Sequence, residues 1–426
     1  MRTVCAAIIF ALSLITSAMG QPAETDIRSI YLGGLTAYND GDMQGFLDAM
    51  LELETLRPHQ RSIIYNVAAG YALNGETDRA IEKIETIAAS GVYMDIAADT
   101  DFASLAGAPG YDALIATMTA LIGAQGESAL EHEFLPVGVL AEGLAVDETN
   151  GALYISSVRQ GLIWRTSDGN SLEEFVAPNA HDGIGGLLGM AVDTERGLLW
   201  AASSTPGQYN GPNRENQPPS ALFGFDLTTG AVEHYLPFEG EGHFLGEVVI
   251  GPDGDVYASD SADPVIYRVS DDLSVLEHFF TSDQYTNFQG FDFDGMGHLY
   301  IADYVHGLVV VDLASGQAQV VDAVDGSNLS GVDGLFYWEG SLVAIRNGAP
   351  PHSIIRFILS EDGQTISSRQ TLAVNLEAWD EPTLGQIVGG QLYYNAASGW
   401  PSFRDDGSVV DGAELSPIRI MSIDLN

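Results

Sequence analysis

Oxygen-bearing side chains stand at the head of a phrase that returns six times in the second part of this chain. The phrases are Glu142-Gly-Leu-Ala-Val-Asp, Leu188-Gly-Met-Ala-Val-Asp, Gly246-Glu-Val-Val-Ile-Gly, Gln289-Gly-Phe-Asp-Phe-Asp, Asp333-Gly-Leu-Phe-Tyr-Trp and Thr383-Leu-Gly-Gln-Ile-Val. Read as equivalent strands around one axis, they are headed by Glu142, Gly189, Glu247, Gln289, Asp333 and Thr383. Three carboxylates and one amide oxygen then meet at a point. Such a set has the hardness and negative charge that calcium or another divalent cation prefers. Crowded together without a cation, the same carboxylates would raise one another's pKa. Glu142, Glu247, Gln289 and Asp333 are therefore the predicted metal ligands.

The elements that must position them follow from the pattern around the phrases. From about Ala129 the chain alternates short apolar runs with Asp-Gly and Gly-Asn turns, the signature of strands and hairpins. A partner strand follows each phrase, at 152–156, 198–202, 255–259, 298–302, 341–345 and 391–395. The phrases recur every 43 to 57 residues or so, the length of one four-stranded blade. The expected fold is mainly β, a six-bladed β-propeller over residues 128–426. After the sixth pair only residues 417–425 remain for another strand. The missing outermost strand is then 130–135, just before the first blade, and pairing the two ends leaves no open edge.

Residues in loops on the channel face are the remaining candidates. His243 lies four residues before Glu247 and is placed to act as a base, with His181 and His306 on the same face. Arg159, Arg346 and Asn347 follow second strands and suggest contacts to an anionic or polyhydroxylated ligand. The loop from Ser203 to Ser220 has the length of a lid. Trp400 either stacks on a sugar ring or seals its blade. No Gly-x-Ser-x-Gly elbow, zinc-protease helix or phosphate-binding loop is present in the sequence.

From about Glu133 onward the sequence resembles the gluconolactonase/regucalcin (senescence marker protein) family of six-bladed propellers. Glu142-Gly-Leu-Ala-Val-Asp, Gly251-Pro-Asp-Gly-Asp-Val-Tyr, Tyr300-Ile-Ala-Asp-Tyr and Val332-Asp-Gly-Leu carry the resemblance. It implies a divalent metal held by a Glu of the first blade, an Asn of the fourth and an Asp of the fifth. Glu142 and Asp333 match, whereas Gln289 stands where Asn is expected and Glu247 where the family often uses Asn. The implied activity is calcium-dependent hydrolysis of sugar lactones or related small esters, with Asp333 the family-like base. A competing reading is a non-catalytic, NHL-like binding propeller with a structural calcium.

The front of the chain differs in character. Residues 21–127 carry helical periodicity, and Tyr31/Tyr65, Gly34/Ala68 and Gly41/Gly75 are each offset by 34 residues, the tetratricopeptide period. This all-α domain resembles tetratricopeptide repeats and suggests a protein partner. Residues 1–20 read as a secretory signal peptide, with an apolar run and a small-residue stretch ending at Gly20. The expectation is an exported protein, periplasmic or secreted, with no membrane span in the mature chain. Cys5 is the single cysteine, so the mature chain has no disulfide. With 59 acidic against 16 basic residues the net charge is −43. Such a chain repels phosphate backbones, which excludes nucleic acid as a partner and leaves a small lactone or ester.

Overall fold

A computed structural model describes residues 22–58 and 60–426. The expected signal peptide lies outside the described residues. The chain divides into two compact units, one running to Gly123 together with Gly326–Asn328, the other comprising Ala124–Asp325 and Leu329–Asn426.

Among its described residues the first unit contains five α-helices: α1 (Pro22–Asp40), α2 (Met43–Leu56), α3 (Arg61–Leu73), α4 (Thr77–Ala89) and α5 (Tyr111–Leu121). Helices α1/α2 and α3/α4 form two hairpins whose turns fall on Gly41 and Gly75, both in the left-handed region. The 34-residue offset therefore corresponds to a repeated helical hairpin. Asp42 caps α2, accepting from the Gly45 N–H at 2.9 Å. Apolar side chains at helical spacing (Phe46, Leu47 and Met50 with Val67, Ala68 and Ile84) make its core. The stretch that follows is shorter, with a 3₁₀ segment of two turns at Thr100–Leu105 before α5. There Asp101 accepts from the Tyr38 hydroxyl at 2.9 Å and Asp99 from that of Tyr65.

The second unit is a six-bladed β-propeller of six antiparallel blades. Their innermost strands are Ala141–Asp147, Gly186–Asp193, Leu245–Ile250, Phe288–Phe293, Val332–Trp338 and Gly385–Val388. Each adjoins the next, and the sixth adjoins the first. Four of the blades are simple meanders. The fifth carries two added short strands, Gln125–Gly126 and Asp322–Ala323, on its outer strand. In the sixth the outermost strand is Ala129–Val137, paired antiparallel with Pro417–Asp424. The ring closes as the sequence predicts.

Burial is greatest in the second strands and falls to the outermost, and the strand sequences follow it. Second strands such as Ala152–Ser157 and Leu198–Ser204 are buried on both faces and read as continuous apolar and small residues. The outer strand Leu276–Thr281 is mostly exposed. The core fills the gaps between blades: Trp200, Tyr267 and Val248 join blades two and three. Phe134, Ile418, Trp164 and Leu144 join blades six and one.

Closure gives a first prediction. Phe134 is buried in the closing strand whereas its neighbour Leu135 is 77% exposed. Phe134→Ala should destabilise the propeller by about 3–4 kcal/mol, and Leu135→Ala by less than about 0.5 kcal/mol. All five tryptophans lie between Trp164 and Trp400, so urea unfolding followed by tryptophan fluorescence reads this unit alone. Equal effects of the two substitutions would contradict the closure argument.

Candidate cation and ligand cavity

The innermost strands of blades one to five share a local irregularity that places the candidate residues. Each inner strand carries one extra residue against its partner strand. The shifts fall between Ala141 and Leu144, Leu187 and Met190, Leu245 and Val248, Phe288 and Phe291, and Val332 and Gly334. A bulge of this kind breaks the alternation of side chains and re-aims one of them. Glu142, Gln289 and Asp333 sit in these bulges, each followed by a glycine. A Cβ on Gly143 would lie 2.2 Å from the Leu188 carbonyl oxygen, and one on Gly290 2.4 Å from that of Asp333. Only glycine allows neighbouring inner strands to come so close.

This register corrects the sequence alignment in three blades. The residues equivalent to Glu142 are Leu188 in blade two and Gly246 in blade three, so Glu247 stands one place further on. It lies against blade two, with its Oε1 2.6 Å from where a Cβ on Gly189 would be. In blade six the inner strand is short and unbulged. Thr383 does not head it towards the channel: its hydroxyl donates to the Glu142 carbonyl at 3.0 Å and ties blade six to blade one.

A cavity of about 280 Å³ opens at this end of the axis. Its wall includes Glu142, Glu247, Gln289 and Asp333 together with Asn347, and also Glu381, Tyr304 and Trp400. The ligand-type groups are fixed by N–H donors or acceptors behind them. Trp400 Nε1 donates to Glu142 Oε2 at 2.6 Å. Asn347 Nδ2 donates to Asp333 Oδ2 at 2.6 Å, while its Oδ1 accepts from the Tyr304 hydroxyl at 3.1 Å. Gln289 gives its Nε2 to Asn287 Oδ1 at 2.6 Å, which leaves the amide oxygen available to a ligand. Glu247 Oε1 accepts from the Val248 N–H at 3.0 Å.

Burial and crowding set the electrostatics. Glu142 is pushed well above the usual carboxylate range, first by burial and then by the Asp333 charge, against the lowering effect of Trp400. Glu247 is raised to about 8, chiefly by burial. Glu381 rises to about 8 through burial and the charges of Asp333 and Asp380. Asp333 rises to about 6 through burial, offset by the Asn347 donor. Among the described residues no three Asp, Glu, His or Cys side chains are grouped tightly enough to hold a metal ion by themselves. The donor chemistry nevertheless fits a divalent cation: hard oxygens, excess negative charge and an amide oxygen, all on one wall.

Five sequence candidates, His181, His243, His306, Arg159 and Arg346, lie elsewhere. Among the described residues the wall contains no Arg, Lys or His. His243 stacks on Phe238 with centroids 4.1 Å apart, and its Nδ1 pairs with the buried Asp260 at 2.7 Å. Arg159 lies over Phe403 and donates to the Gly407 carbonyl at 2.8 Å. Arg346 is buried and gives its Nε to Ser353 Oγ at 3.1 Å. The expected lid loop also supplies no wall residue. It is braced to the blade-six excursion by Arg214, which donates to the Asp406 carbonyl at 2.9 Å, and by Gln208 on Asp405. Loop arginines in so acidic a chain find nearby carbonyls before any ligand. Conversely Glu381 escaped the sequence reading because it precedes an inner strand that lacks the bulge phrase. Only its place one blade after Asp333 would have marked it.

No family model matches this sequence, and no curated protein matches it. Solved structures similar to it include a calcium-binding regucalcin from Agrobacterium tumefaciens, at 16% identity and TM-score 0.49, covering 71% of this chain and 96% of that one. The pyrroloquinoline-quinone-bound aldose sugar dehydrogenase of Streptomyces coelicolor matches at 16% identity and TM-score 0.48, covering 71% and 99%. A gluconolactonase from Xanthomonas campestris matches at 14% and 0.44, covering 72% and 92%.

The raised carboxyls predict an unusual pH dependence in chelator. Between their ordinary values near 4 and about 8, the folded state holds more protons than the unfolded. Stability contributed by these groups is therefore present at low pH and lost as pH rises through that window. The tryptophan-detected melting temperature should fall from pH 5.5 to about 8.5 and fall less in Glu381→Gln. A melting temperature that rises across this window, or an identical slope in the variant, would refute the assignment.

Proposed function

We propose that the propeller is a cation-dependent hydrolase of sugar lactones or related small esters, with calcium the first candidate cation. The observation that carries this reading is the concentration of Glu142, Glu247, Asp333 and Glu381 on one cavity wall with no compensating basic side chain. Buried like charges of this density are costly unless a cation or protons neutralise them. Glu142, Glu247, Gln289 and Asp333 would hold the ion, and the sequence resemblance points to the same first, fourth and fifth blades.

A bound divalent cation supplies Lewis acidity at an ester carbonyl. The chain's own residues do the rest. Asp333, with one oxygen pinned by Asn347, is oriented to take the proton of an attacking water on the other. Trp400 and Asn347 fix two carboxylates in place, so little reorganisation is needed as charge develops. Phe244, Leu188 and Leu384 on the same wall exclude bulk water. His243 has no part in this scheme, because it lies outside the wall.

A second reading is favoured by the helical unit: a binding propeller with a structural calcium, whose two hairpins engage a protein. Catalysis on a small molecule does not call for such a unit. The N-terminal apolar segment supports export to the periplasm or beyond, where calcium is abundant. No helix among the described residues is long and apolar enough to cross a membrane.

Calcium titration by calorimetry, on the full chain and on Asp333→Ala, tests the reading together with lactone turnover. The variant should bind calcium at least about tenfold more weakly, the loss of one charged ligand, and turnover should vanish in chelator. Calcium binding with no turnover on any lactone or ester would favour the binding propeller. No calcium binding would sink both.

A further inference from the structure

In blade six the connection between the strands Gln391–Asn395 and Pro417–Asp424 is far longer than an antiparallel pair requires. Its root is fixed at the cavity. The Ser398 N–H donates to the Glu381 carbonyl and the Gly399 N–H to Asp380 Oδ1, both at 3.3 Å. Trp400 follows, opens a 3₁₀ turn over Trp400–Ser402 and puts its indole N–H on Glu142 Oε2. Among the described residues Trp400 is the sole contribution of this connection to the cavity wall.

The chain then leaves the cavity as a hairpin. Phe403 pairs with Val409, and the Val410 N–H donates to the Ser402 carbonyl at 2.9 Å. The tip, Asp405-Asp406-Gly407, is held from blades one and two. Arg159 of blade one lies over the Phe403 ring at 4.4 Å and donates to the Gly407 carbonyl at 2.8 Å. Arg214, from the 203–220 loop of blade two, donates to the Asp406 carbonyl at 2.9 Å. It also donates at 2.9 Å to the carbonyl of Tyr209, a buried residue whose hydroxyl sits on the Ile184 carbonyl. A Cβ on Gly207 would fall 1.7 Å from the Asp405 carbonyl oxygen, so loop and tip pack backbone against backbone. Two of only 16 basic residues in the chain serve this one hairpin. Each takes a main-chain carbonyl of the tip, so the bonds fix the path of its backbone. Phe403 donates its own N–H to the Trp400 carbonyl at 3.1 Å. Displacing the hairpin therefore displaces the indole.

We propose that Arg159 and Arg214 are positioning residues of the cavity: by holding the hairpin they keep the Trp400 indole on the Glu142 carboxylate. Neither is part of the wall, and both act through the strap that crosses from blade six to blade two. The inference deepens the cation-site reading, since a donor behind a ligating carboxylate sets its orientation and its affinity for a metal. It also gives Arg159, expected from the sequence to meet a ligand, a different task.

Acrylamide quenching of tryptophan emission and calcium calorimetry on the full chain test it, with melting curves recorded alongside. The Trp400 signal is the difference between each protein and its Trp400→Phe counterpart. Arg159→Ala combined with Arg214→Ala should raise the quenching constant of that signal about twofold or more, as the strap opens locally. Arg214→Ala alone keeps the Phe403 contact and should give a smaller rise; it decides the matter if the pair fails to fold. Trp400→Phe should weaken calcium binding about tenfold. The arginine pair should weaken it about threefold or more, and add nothing once Trp400 is replaced. An unchanged Trp400 quenching constant in a folded arginine variant overturns the proposal. So does calcium affinity untouched by the arginine pair, or an arginine effect that persists undiminished beside Trp400→Phe, the mark of a merely structural role. If the unmodified protein binds no calcium, the cation reading alone fails, and the quenching comparison still decides this one.

Discussion

Antiparallel pairing of residues 129–137 with 417–424 joins the two ends of the propeller in one sheet. Without it the sixth blade would lack an outer strand and the ring would present two open edges. With it the six inner strands are held in a circle, and the residues at their channel ends have no freedom to separate. Glu142 and Glu381 stand 239 positions apart in sequence, yet closure places both on one cavity wall. The accumulation of charge at the axis is thus a consequence of topology: side chains harmless in a strand sequence become a buried cluster once the ring shuts. Interblade bonds such as Ser156 Oγ to the Leu188 carbonyl and Asp292 Oδ2 to the Tyr337 N–H keep the circle in register.

Much of this was legible beforehand because the propeller repeats. The Gly-apolar phrases, their partner strands and the displaced closing strand could be located from periodicity, since each blade answers the same packing problem with similar residues. Glu142, Gln289 and Asp333 were legible for a related reason: each precedes a glycine, and for Glu142 and Gln289 close strand approach demands it. Legibility failed where a blade departs from the repeat. Blade three exchanges the order to Gly246-Glu247, so Glu247 stands one place beyond the equivalent of Glu142, and blade six has no bulge, so Thr383 has no equivalent place.

The loops were the least legible part, and the cause is physical. A strand residue's direction follows from alternation and register, whereas a loop side chain goes wherever a partner is found. Arg159 finds the carbonyl of Gly407, 248 positions away, and His243 finds Asp260 at the end of its blade's second strand. Neither partner can be read from spacing. In a chain with 59 acidic residues, basic loop residues are claimed by the protein itself, and the expectation that they serve a ligand inverts the balance. The helical unit was legible to the extent of its two hairpins, because a 34-residue offset records a repeated turn; what those hairpins engage is not encoded in the turn.

The hydrogen bonds behind the cavity wall separate a site from an accident of crowding. Four carboxyls brought together by ring closure alone would rotate apart. Instead the wall orients three of them individually. The Trp400 indole is a donor only, so its bond fixes which Glu142 oxygen is turned away and which is left for the cavity. Asn347 uses its amide nitrogen on Asp333 and its oxygen on Tyr304, so it cannot flip without losing both bonds. Asn287 takes the Gln289 amide nitrogen and leaves the oxygen. Each arrangement spends a neutral N–H on one atom and reserves an oxygen for something positive.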